Sequence, residues 1–157
     1  MIQFTAIGHA ETAYDSIASM PIQGAGVASN TGRLVIDPEY VQGLTDLAGF
    51  SHIYVLFHLH QSQPGELMVK PFLDTVKRGI FATRSPKRPN PIGLSIVAID
   101  RIEDNVIYVH GIDMLNNTPI IDIKPYIQAF DNIPNTRDGW YQQGMDPKTT
   151  LSDDRFG

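Results

Sequence analysis

The sequence contains no cysteine and no apolar run long enough to cross a bilayer. Without Cys among the 157 residues, disulfides, thiolate metal ligands and a catalytic thiol are all excluded. A transmembrane helix needs roughly 18 consecutive apolar residues, and the stretch Met1–Ala10 lacks the basic and then apolar layout of a signal peptide. We therefore expect a cytoplasmic protein. Its length and 42% hydrophobic content predict one domain around one core.

Positive charge is scarce and unevenly spread. The formal net charge is -5, yet six of the twelve Lys and Arg residues lie between Lys70 and Arg88, where Asp74 is the single acid. This stretch is strongly basic and the rest of the chain is strongly acidic. Such a polarised charge indicates a local anion site on a protein whose other surfaces repel nucleic acid. A solvated basic loop is the alternative that charge alone would also explain.

Helical periodicity is also scarce, because most apolar segments alternate with the period of two that strands have. One short helix is predicted at Pro38–Leu47, where Asp37 can cap the first turn. The residues Glu103-Asp104-Asn105 have the composition of a hairpin turn. The expected fold is mainly β, a single antiparallel sheet curled into a small β-barrel with one short helix. The predicted strands are Ile2–Ile7, Gly32–Ile36, Ser51–Gln61, Gly79–Thr83, Ile92–Ile102, Val106–Ile112 and Pro119–Ile123.

The chain lacks a complete glycine-rich dinucleotide loop. Gly24-Ala25-Gly26 begins like one, but no third glycine follows at the required spacing and no helical pattern comes after it. A Rossmann-type nucleotide site is therefore rejected. These glycines are better explained as a bend that leads into a strand.

The segment Arg78–Ser95 combines cations with prolines at positions 86, 89 and 91. Each proline fixes φ and removes a backbone donor, so a stiff loop is predicted between two strands. A stiff loop loses less entropy on binding than a flexible one. Arginine can hold a carboxylate or phosphate through two parallel hydrogen bonds. We expect an anion-binding loop, with a rigid surface turn of incidental charge as the alternative. Its polar residues include Arg84, Ser85, Arg88 and Asn90.

The strand Ser51–Gln61 carries three histidines on one face. Period two places Ile53, Val55, Phe57 and Leu59 on an apolar face, and His52, Tyr54, Leu56, His58 and His60 on the other. His58 and His60 could act as two metal ligands. No further ligand spacing supports this, so structural hydrogen bonds or the lining of a pocket are favoured and no metal site is predicted.

The segment from Asp113 to Tyr126 places polar residues at a turn and along the strand that follows. Period two puts Asp122 and Lys124 on one face, close enough to pair. This pair is either a salt bridge or a catalytic arrangement in which Asp122 positions or deprotonates a nitrogen nucleophile. Tyr126 would then shape the wall of the site.

Together these segments resemble one family, the TrmO family of tRNA N6-threonylcarbamoyladenosine methyltransferases. The similarity runs from about Ile7 to Tyr126, and the string from Ala82 to Ser95 is its most specific part. Gly79-Ile80-Phe81, directly before this string, also matches. The other matching motifs are Gly32-Arg33, Pro38-Glu39-Tyr40, Gly49-Phe50-Ser51-His52, His60-Gln61, Thr118-Pro119 and Asp122-Ile123-Lys124-Pro125-Tyr126.

The resemblance implies a barrel-shaped homodimer that binds S-adenosyl-L-methionine near its interface and methylates the modified adenosine beside the tRNA anticodon. It implies cofactor contacts from Pro21, Ile22, Gln23, His60, Gln61, Arg84, Leu94, Asn117, Thr118, Pro119 and Ile120. The remaining site residues are Arg78, Lys87, Arg88 and Asn90 toward RNA, and Asp122, Lys124 and Tyr126 for catalysis. At Ile22 many relatives have arginine.

Two alternatives remain open at this stage. The acidic net charge favours a small-molecule acceptor for the methyl group, and a non-catalytic cofactor-binding or RNA-binding module would carry the same motifs. We expect residues 1–130 to form the barrel domain. Residues 131–157 are expected to form a C-terminal extension that packs on the barrel or on a partner subunit.

Overall fold

The computed structural model describes residues 1–16, 30–71 and 74–141, and strands make up most of their regular secondary structure. Six of the strands pair in the order β1-β2-β7-β6-β3-β8 and close into an antiparallel barrel, while β4 and β5 form a separate two-stranded sheet. The expected mainly-β barrel fold is confirmed. In chain order the strands are β1 (Gly8–Glu11), β2 (Thr31–Ile36), β3 (His52–His58), β4 (Met68–Val69), β5 (Arg78–Gly79), β6 (Ile92–Glu103), β7 (Val106–His110) and β8 (Pro119–Pro125).

The barrel is filled by the apolar face of each strand. On β3 the side chains of Ile53, Val55 and Phe57 are buried, while His52 and His58 point outward and are exposed. The predicted two-face pattern of this strand is therefore confirmed. The remaining core comes from other strands and from the turn before β8, with Leu34, Ile36, Val97, Ile107, Val109, Ile112, Met114 and Ile120 all nearly inaccessible.

Closure of the barrel depends on β1 and β8. Gly8 pairs with Ile120 and His9 with Pro119, while the other edge of β1 pairs with β2. A Cβ at Gly8 would lie 2.2 Å from the carbonyl oxygen of Val35, so only glycine allows the two main chains to approach this closely.

Two predicted strands are wrong. Ile2–Ile7 alternates correctly, but Ile2 and Phe4 are 83% and 65% exposed and the first strand begins only at Gly8. Alternation without a neighbouring strand to pair with does not make a strand. Of the predicted strand Gly79–Thr83, only Gly79 belongs to a strand, and Ile80–Ala82 form a 3-10 turn.

The predicted helix exists, but as two 3-10 helices, Pro38–Leu44 and Leu47–Gly49. They are separated at Asp46, whose φ of 71° is left-handed, and this conformation cannot continue a helix. Asp37 takes the N-cap position without a capping side-chain hydrogen bond. Leu47 is buried and Leu44 packs against the core, so these two side chains attach the segment to the barrel.

Among the described residues beyond β8 there is one short α-helix, α1 (Gln128–Asp131). Its last residue closes the turn, because the Asp131 carboxylate accepts a hydrogen bond from the Ile127 N–H at 2.8 Å. In the part of the chain that the structure describes, no helix is long and apolar enough to cross a membrane.

Candidate functional site

Three of the sequence-predicted segments meet at one end of the barrel. Strand β3 lies between β6 and β8, and Phe57 is opposite Gly93 on one side and Ile120 on the other. The segments that continue past this row are therefore neighbours. They are His58–Gln61 at the end of β3 and beyond it, Pro91–Ile92 at the start of β6, and Asn117–Pro119 at the start of β8.

The cationic loop between β5 and β6 packs against the loop that follows β3. The Leu59 N–H donates to the Pro91 carbonyl at 2.8 Å, and the Glu66 N–H donates to the Lys87 carbonyl at 3.2 Å. A Cβ at Gly65 would lie 2.6 Å from the main chain of Arg88, so the two loops touch backbone to backbone. This packing brings His60-Gln61 to the same side as the proline-rich loop.

The proline-rich loop is also fastened internally. The Thr83 hydroxyl donates to the Ile80 carbonyl at 2.9 Å and accepts from the Ser85 N–H at 3.2 Å. Arg88 Nη1 donates to the carbonyl oxygens of Thr83 at 2.9 Å and Ser85 at 3.1 Å. Arg88 therefore bridges two carbonyl groups of its own loop and stabilises the conformation of that loop.

The remaining cations of the segment differ in their surroundings. Arg78 pairs with Asp74 at 2.7 Å, and Lys87 lies 3.9 Å from a Glu66 carboxylate oxygen with its side chain 18% exposed. Arg84 and Asn90 are exposed. Arg84 is thus the cation that the stiff loop presents most openly to solvent at this end of the barrel.

His60 follows β3 and is half-buried. Burial lowers the pKa of its imidazole below the ordinary 6.5, although a hydrogen bond with the His58 backbone partly opposes this and the nearby His58 side chain adds to it. At neutral pH the ring is therefore uncharged and can both donate and accept a hydrogen bond. Among the described residues, no three His, Asp or Glu side chains come together to hold a metal ion.

Asp122 and Leu94 share one row on the outer surface of the barrel. Both lie opposite Leu56 in the pairings of β3 with β6 and β8, which places them two strand spacings apart, about 10 Å. Asp122 Oδ2 is 3.0 Å from Lys124 Nζ, and Oδ1 accepts the Ile123 N–H at 2.9 Å. The predicted ion pair is present and about half exposed.

Tyr126 is not brought to this end within one chain. Its N–H donates to the His52 carbonyl, and its ring packs against Tyr54 at 5.7 Å and His52 at 6.4 Å between centroids. Four residues of strand separate it from Asp122, about 13 Å. A catalytic role for Tyr126 at the site of Asp122 is therefore not supported by the fold of a single chain.

The turn before β8 has few exposed side chains. Thr118 and Ile120 are 2% and 0% exposed, and the Thr118 hydroxyl donates to the Leu115 carbonyl at 2.7 Å. Asn117 is exposed with a left-handed φ of 67°, and its N–H donates to the Ala10 carbonyl. Of the predicted contacts here, Asn117 has the most accessible side chain.

One buried polar contact beneath the site was not predicted from the sequence. The Ser95 hydroxyl donates to Asp113 Oδ1 at 2.6 Å, with Ser95 only 8% exposed. Burial raises the pKa of the nearby Tyr14 hydroxyl, a hydrogen bond with Asn30 opposes this, and the Asp113 charge adds to it. The signal available was a serine at an inward position of β6, which requires a buried partner.

Trp140 connects the C-terminal segment to the cationic loop. Its indole N–H donates to the Ala82 carbonyl at 2.6 Å, and the Arg78 guanidinium lies over its ring at 5.9 Å. The chain after α1 therefore runs back to the 3-10 turn that precedes Arg84. The predicted contacts Pro21, Ile22 and Gln23, the bend at Gly24-Ala25-Gly26 and the polar tail after Tyr141 lie outside the described residues.

Fold and site together define a small β-barrel protein with a cationic, proline-rich loop at one barrel end. The model of the tRNA-methyltransferase O N-terminal domain matches residues 9–132. The chain belongs to this family, and the resemblance found in the sequence is confirmed.

Relatives and solved structures agree with this assignment. A probable S-adenosyl-L-methionine-binding protein of Pyrococcus abyssi is 36% identical over 98% of this chain and 84% of its own length. The tRNA (adenine(37)-N6)-methyltransferase of Escherichia coli K12 is 35% identical over 96% of this chain and 68% of its own. The crystal structure of TrmO from Pseudomonas aeruginosa matches with a TM-score of 0.77 and 30% identity over 90% of this chain. The chain spans 63% of that structure's length.

Proposed function

We propose that the protein uses S-adenosyl-L-methionine to N-methylate N6-threonylcarbamoyladenosine next to the anticodon of tRNA. The observation that carries this proposal is the meeting, at one barrel end, of the three segments that hold the family motifs. Membership of the tRNA-methyltransferase O family and the name of the Escherichia coli relative support the reaction.

The groups at this barrel end suit the proposed cofactor chemically. The Arg84 guanidinium suits a carboxylate, and the uncharged His60 ring and the Gln61 amide offer neutral donors and acceptors. Leu94 is 58% exposed and offers apolar surface to a flat base. The cofactor supplies a methyl group on a positively charged sulfur, so the protein mainly has to orient the two reactants.

Asp122 is proposed to position the acceptor nitrogen and take up the proton that it loses. The carboxylate lies in the same row as Leu94, and Lys124 at 3.0 Å fixes its direction. Because both side chains are about half exposed, a large substrate can reach them. Tyr126 would take part only if a second subunit brought it to this site.

Contacts to RNA are proposed for Arg78, Lys87, Arg88 and Asn90. Lys87, Arg88 and Asn90 lie in the loop that presents Arg84, and Arg78 lies just before it. The three cations belong to the basic stretch of an otherwise acidic chain. Phosphate contacts of this kind position an RNA and weaken with added salt. Since Arg88 also fastens its own loop, its replacement should affect more than RNA affinity.

A homodimer with the cofactor near the interface is also proposed. The outer face of β6, β3 and β8 carries Leu94 and Ile92, which are 58% and 36% exposed, and the chain beyond β8 adds Phe130 and Ile133, 76% and 70% exposed. Exposed apolar side chains of this kind suit an association surface. Sedimentation velocity tests it, because Phe130→Asp should shift the protein toward monomer.

The proposed domain division places the methyltransferase barrel in residues 1–130 and an extension in residues 131–157. The Trp140 contact with Ala82 supports packing of the first part of this extension on the barrel. A cytoplasmic location follows from the proposed substrate, because tRNA modification takes place where tRNA is made and used.

The test is a comparison of tRNA nucleosides by mass spectrometry. Purified protein and S-adenosyl-L-methionine are incubated with tRNA that carries N6-threonylcarbamoyladenosine, and a methylated form of this nucleoside is the expected product. Arg84→Ala should lose most of the activity through weaker cofactor binding, measured by calorimetry, while Arg137→Ala serves as the matched exposed control. Absence of the product, under conditions where the Escherichia coli enzyme forms it, would sink the proposal.

A small-molecule acceptor is the second candidate, favoured by the acidic charge outside residues 70–88. It predicts cofactor binding together with no tRNA affinity at low salt, whereas a tRNA enzyme should bind with a strong salt dependence. A non-catalytic module predicts binding of cofactor or RNA without any methylated product in the same assay.

A further inference from the structure

Phe81 is a large aromatic side chain that is exposed to solvent beside the cationic loop. It lies in the middle of the 3-10 turn Ile80–Ala82 and is 79% exposed. A phenyl ring gains nothing for the fold in this position, since exposure forgoes the burial that normally stabilises an aromatic residue. Single exposed apolar residues are common, so the case rests on how the turn is built and on what surrounds it.

The turn that carries Phe81 is anchored on both sides. Ile80 is 1% exposed, and its N–H donates to the Leu67 carbonyl at 2.9 Å. After the ring, the Ala82 carbonyl accepts the Trp140 indole N–H at 2.6 Å, and the Thr83 N–H closes the turn onto the Ile80 carbonyl at 3.1 Å. Phe81 thus projects from a fixed backbone and would lose little entropy on contacting a ligand.

The surroundings of Phe81 are cationic and apolar together. Arg78 and Arg84 lie three residues before and after it in the most basic stretch of the chain. Leu67, just before β4, and Met68, the first residue of β4, are 69% and 52% exposed, and β4 pairs with β5. An exposed ring among cations is the arrangement with which proteins bind unpaired nucleotides, the ring stacking on a base and the cations contacting phosphates.

We propose that Phe81 is a stacking platform for an unpaired base of the RNA substrate. This inference rests on the proposed function and adds to it a residue that distinguishes single-stranded RNA from paired RNA. The segment is basic, which argues for a nucleic acid as the ligand of Phe81. In a symmetric contact between two copies of this chain, the basic segment of one copy would face that of the other and repel it.

The test compares two RNA probes and four variants. The probes are a hairpin with a seven-nucleotide loop and a fully paired duplex of equal length, and dissociation constants are measured at low salt. Phe81→Ala should weaken hairpin binding about 5- to 150-fold, the range for loss of one stacked base, and leave duplex binding unchanged. Phe81→Trp should keep the affinity, and Phe81→Leu should lose it because an aliphatic side chain cannot stack. The control is Phe4→Ala, another exposed phenylalanine, which should bind as the wild type does.

The outcomes separate a failure of the stacking proposal from a failure of the proposed function. Equal hairpin affinity of Phe81→Ala and the wild type would overturn the stacking platform while leaving the proposed function intact, and full affinity of Phe81→Leu would do the same. A wild-type protein that binds neither RNA would overturn both. Sedimentation velocity covers the competing occupant, because a change of Phe81→Ala from dimer to monomer would assign the ring to a subunit interface instead.

Discussion

Gly93 offers a direct test of the packing at the barrel end that carries the site. A Cβ added there would lie 2.3 Å from Phe57 Cζ, 2.4 Å from Cε2 and 2.9 Å from Cδ2, far inside the roughly 3.5–4.0 Å of an ordinary carbon contact. Phe57 is 6% exposed, so its ring has no open space to move into. We expect Gly93→Ala to lower the free energy of unfolding by about 1–3 kcal/mol, the usual cost of overpacking a core.

Urea denaturation with a fitted m-value measures this change, and thermal unfolding should show a decrease of about 2–4 °C per kcal/mol for a domain of this size. The matched control is Gly79→Ala, because a Cβ at Gly79 meets nothing within 4 Å and its φ of -60° suits alanine. That variant should be as stable as the wild type or more stable by about 0.4–1 kcal/mol.

A double variant identifies the cause of the loss. If the clash is with the Phe57 ring, the combined loss of Gly93→Ala with Phe57→Leu should be smaller than the sum of the two single losses, because leucine leaves room for the new methyl group. Two results would refute this reasoning. One is a Gly93→Ala variant as stable as Gly79→Ala, and the other is strict additivity in the double variant.

Three further predictions concern the loop and its neighbours. Arg88→Ala should lower the free energy of unfolding by about 1.5–3 kcal/mol, the range for hydrogen bonds from a charged donor, whereas Arg137→Ala should not; unchanged stability with weaker RNA binding would contradict the internal fastening. Between about pH 7 and 5 the wild type should lose more thermal stability than His60→Gln. The unfolded chain takes up a proton on this histidine near pH 6.5, whereas the folded His60, with its lowered pKa, does so only at lower pH. Parallel stability–pH profiles of the two proteins would contradict this prediction. Trp140→Phe removes the donor to Ala82 and should speed hydrogen exchange at residues 80–84, so identical exchange would show that the contact does not hold the turn.

The parts of the fold that are governed by local pattern could be predicted from the sequence. The apolar face of β3 followed from alternation along a single strand. The Glu103-Asp104-Asn105 turn followed from residue type, and Asp104 indeed has a left-handed φ of 53°. Both features depend on residues close together in the chain, where the period of a strand and the backbone preference of a residue act directly.

Features that depend on distant partners could not be predicted. Nothing in Ile2–Ile7 shows that the first strand starts only at Gly8, since this depends on pairing with β2 and β8, which are distant in the sequence. The bond between Ser95 and Asp113, the return of Trp140 to Ala82, and the separation of Tyr126 from Asp122 depend on how strands are ordered around the barrel. The motif string identified the family and the segments of the site, but not which of its side chains fasten the loop and which face solvent.

The short pairing between β1 and β8 has a consequence for how a ligand would act on the whole molecule. Only Gly8 and His9 pair across this seam, supplemented by main-chain hydrogen bonds from Ile7, Ala10 and Asn117. A barrel opens first where the fewest bonds hold its edges, so local unfolding should begin here. Because the Asn117–Ile120 turn forms one side of the seam, a ligand bound to that turn would favour the closed barrel. Occupancy of the site would then be visible as slower hydrogen exchange along β1, a strand that contributes no predicted ligand contact of its own.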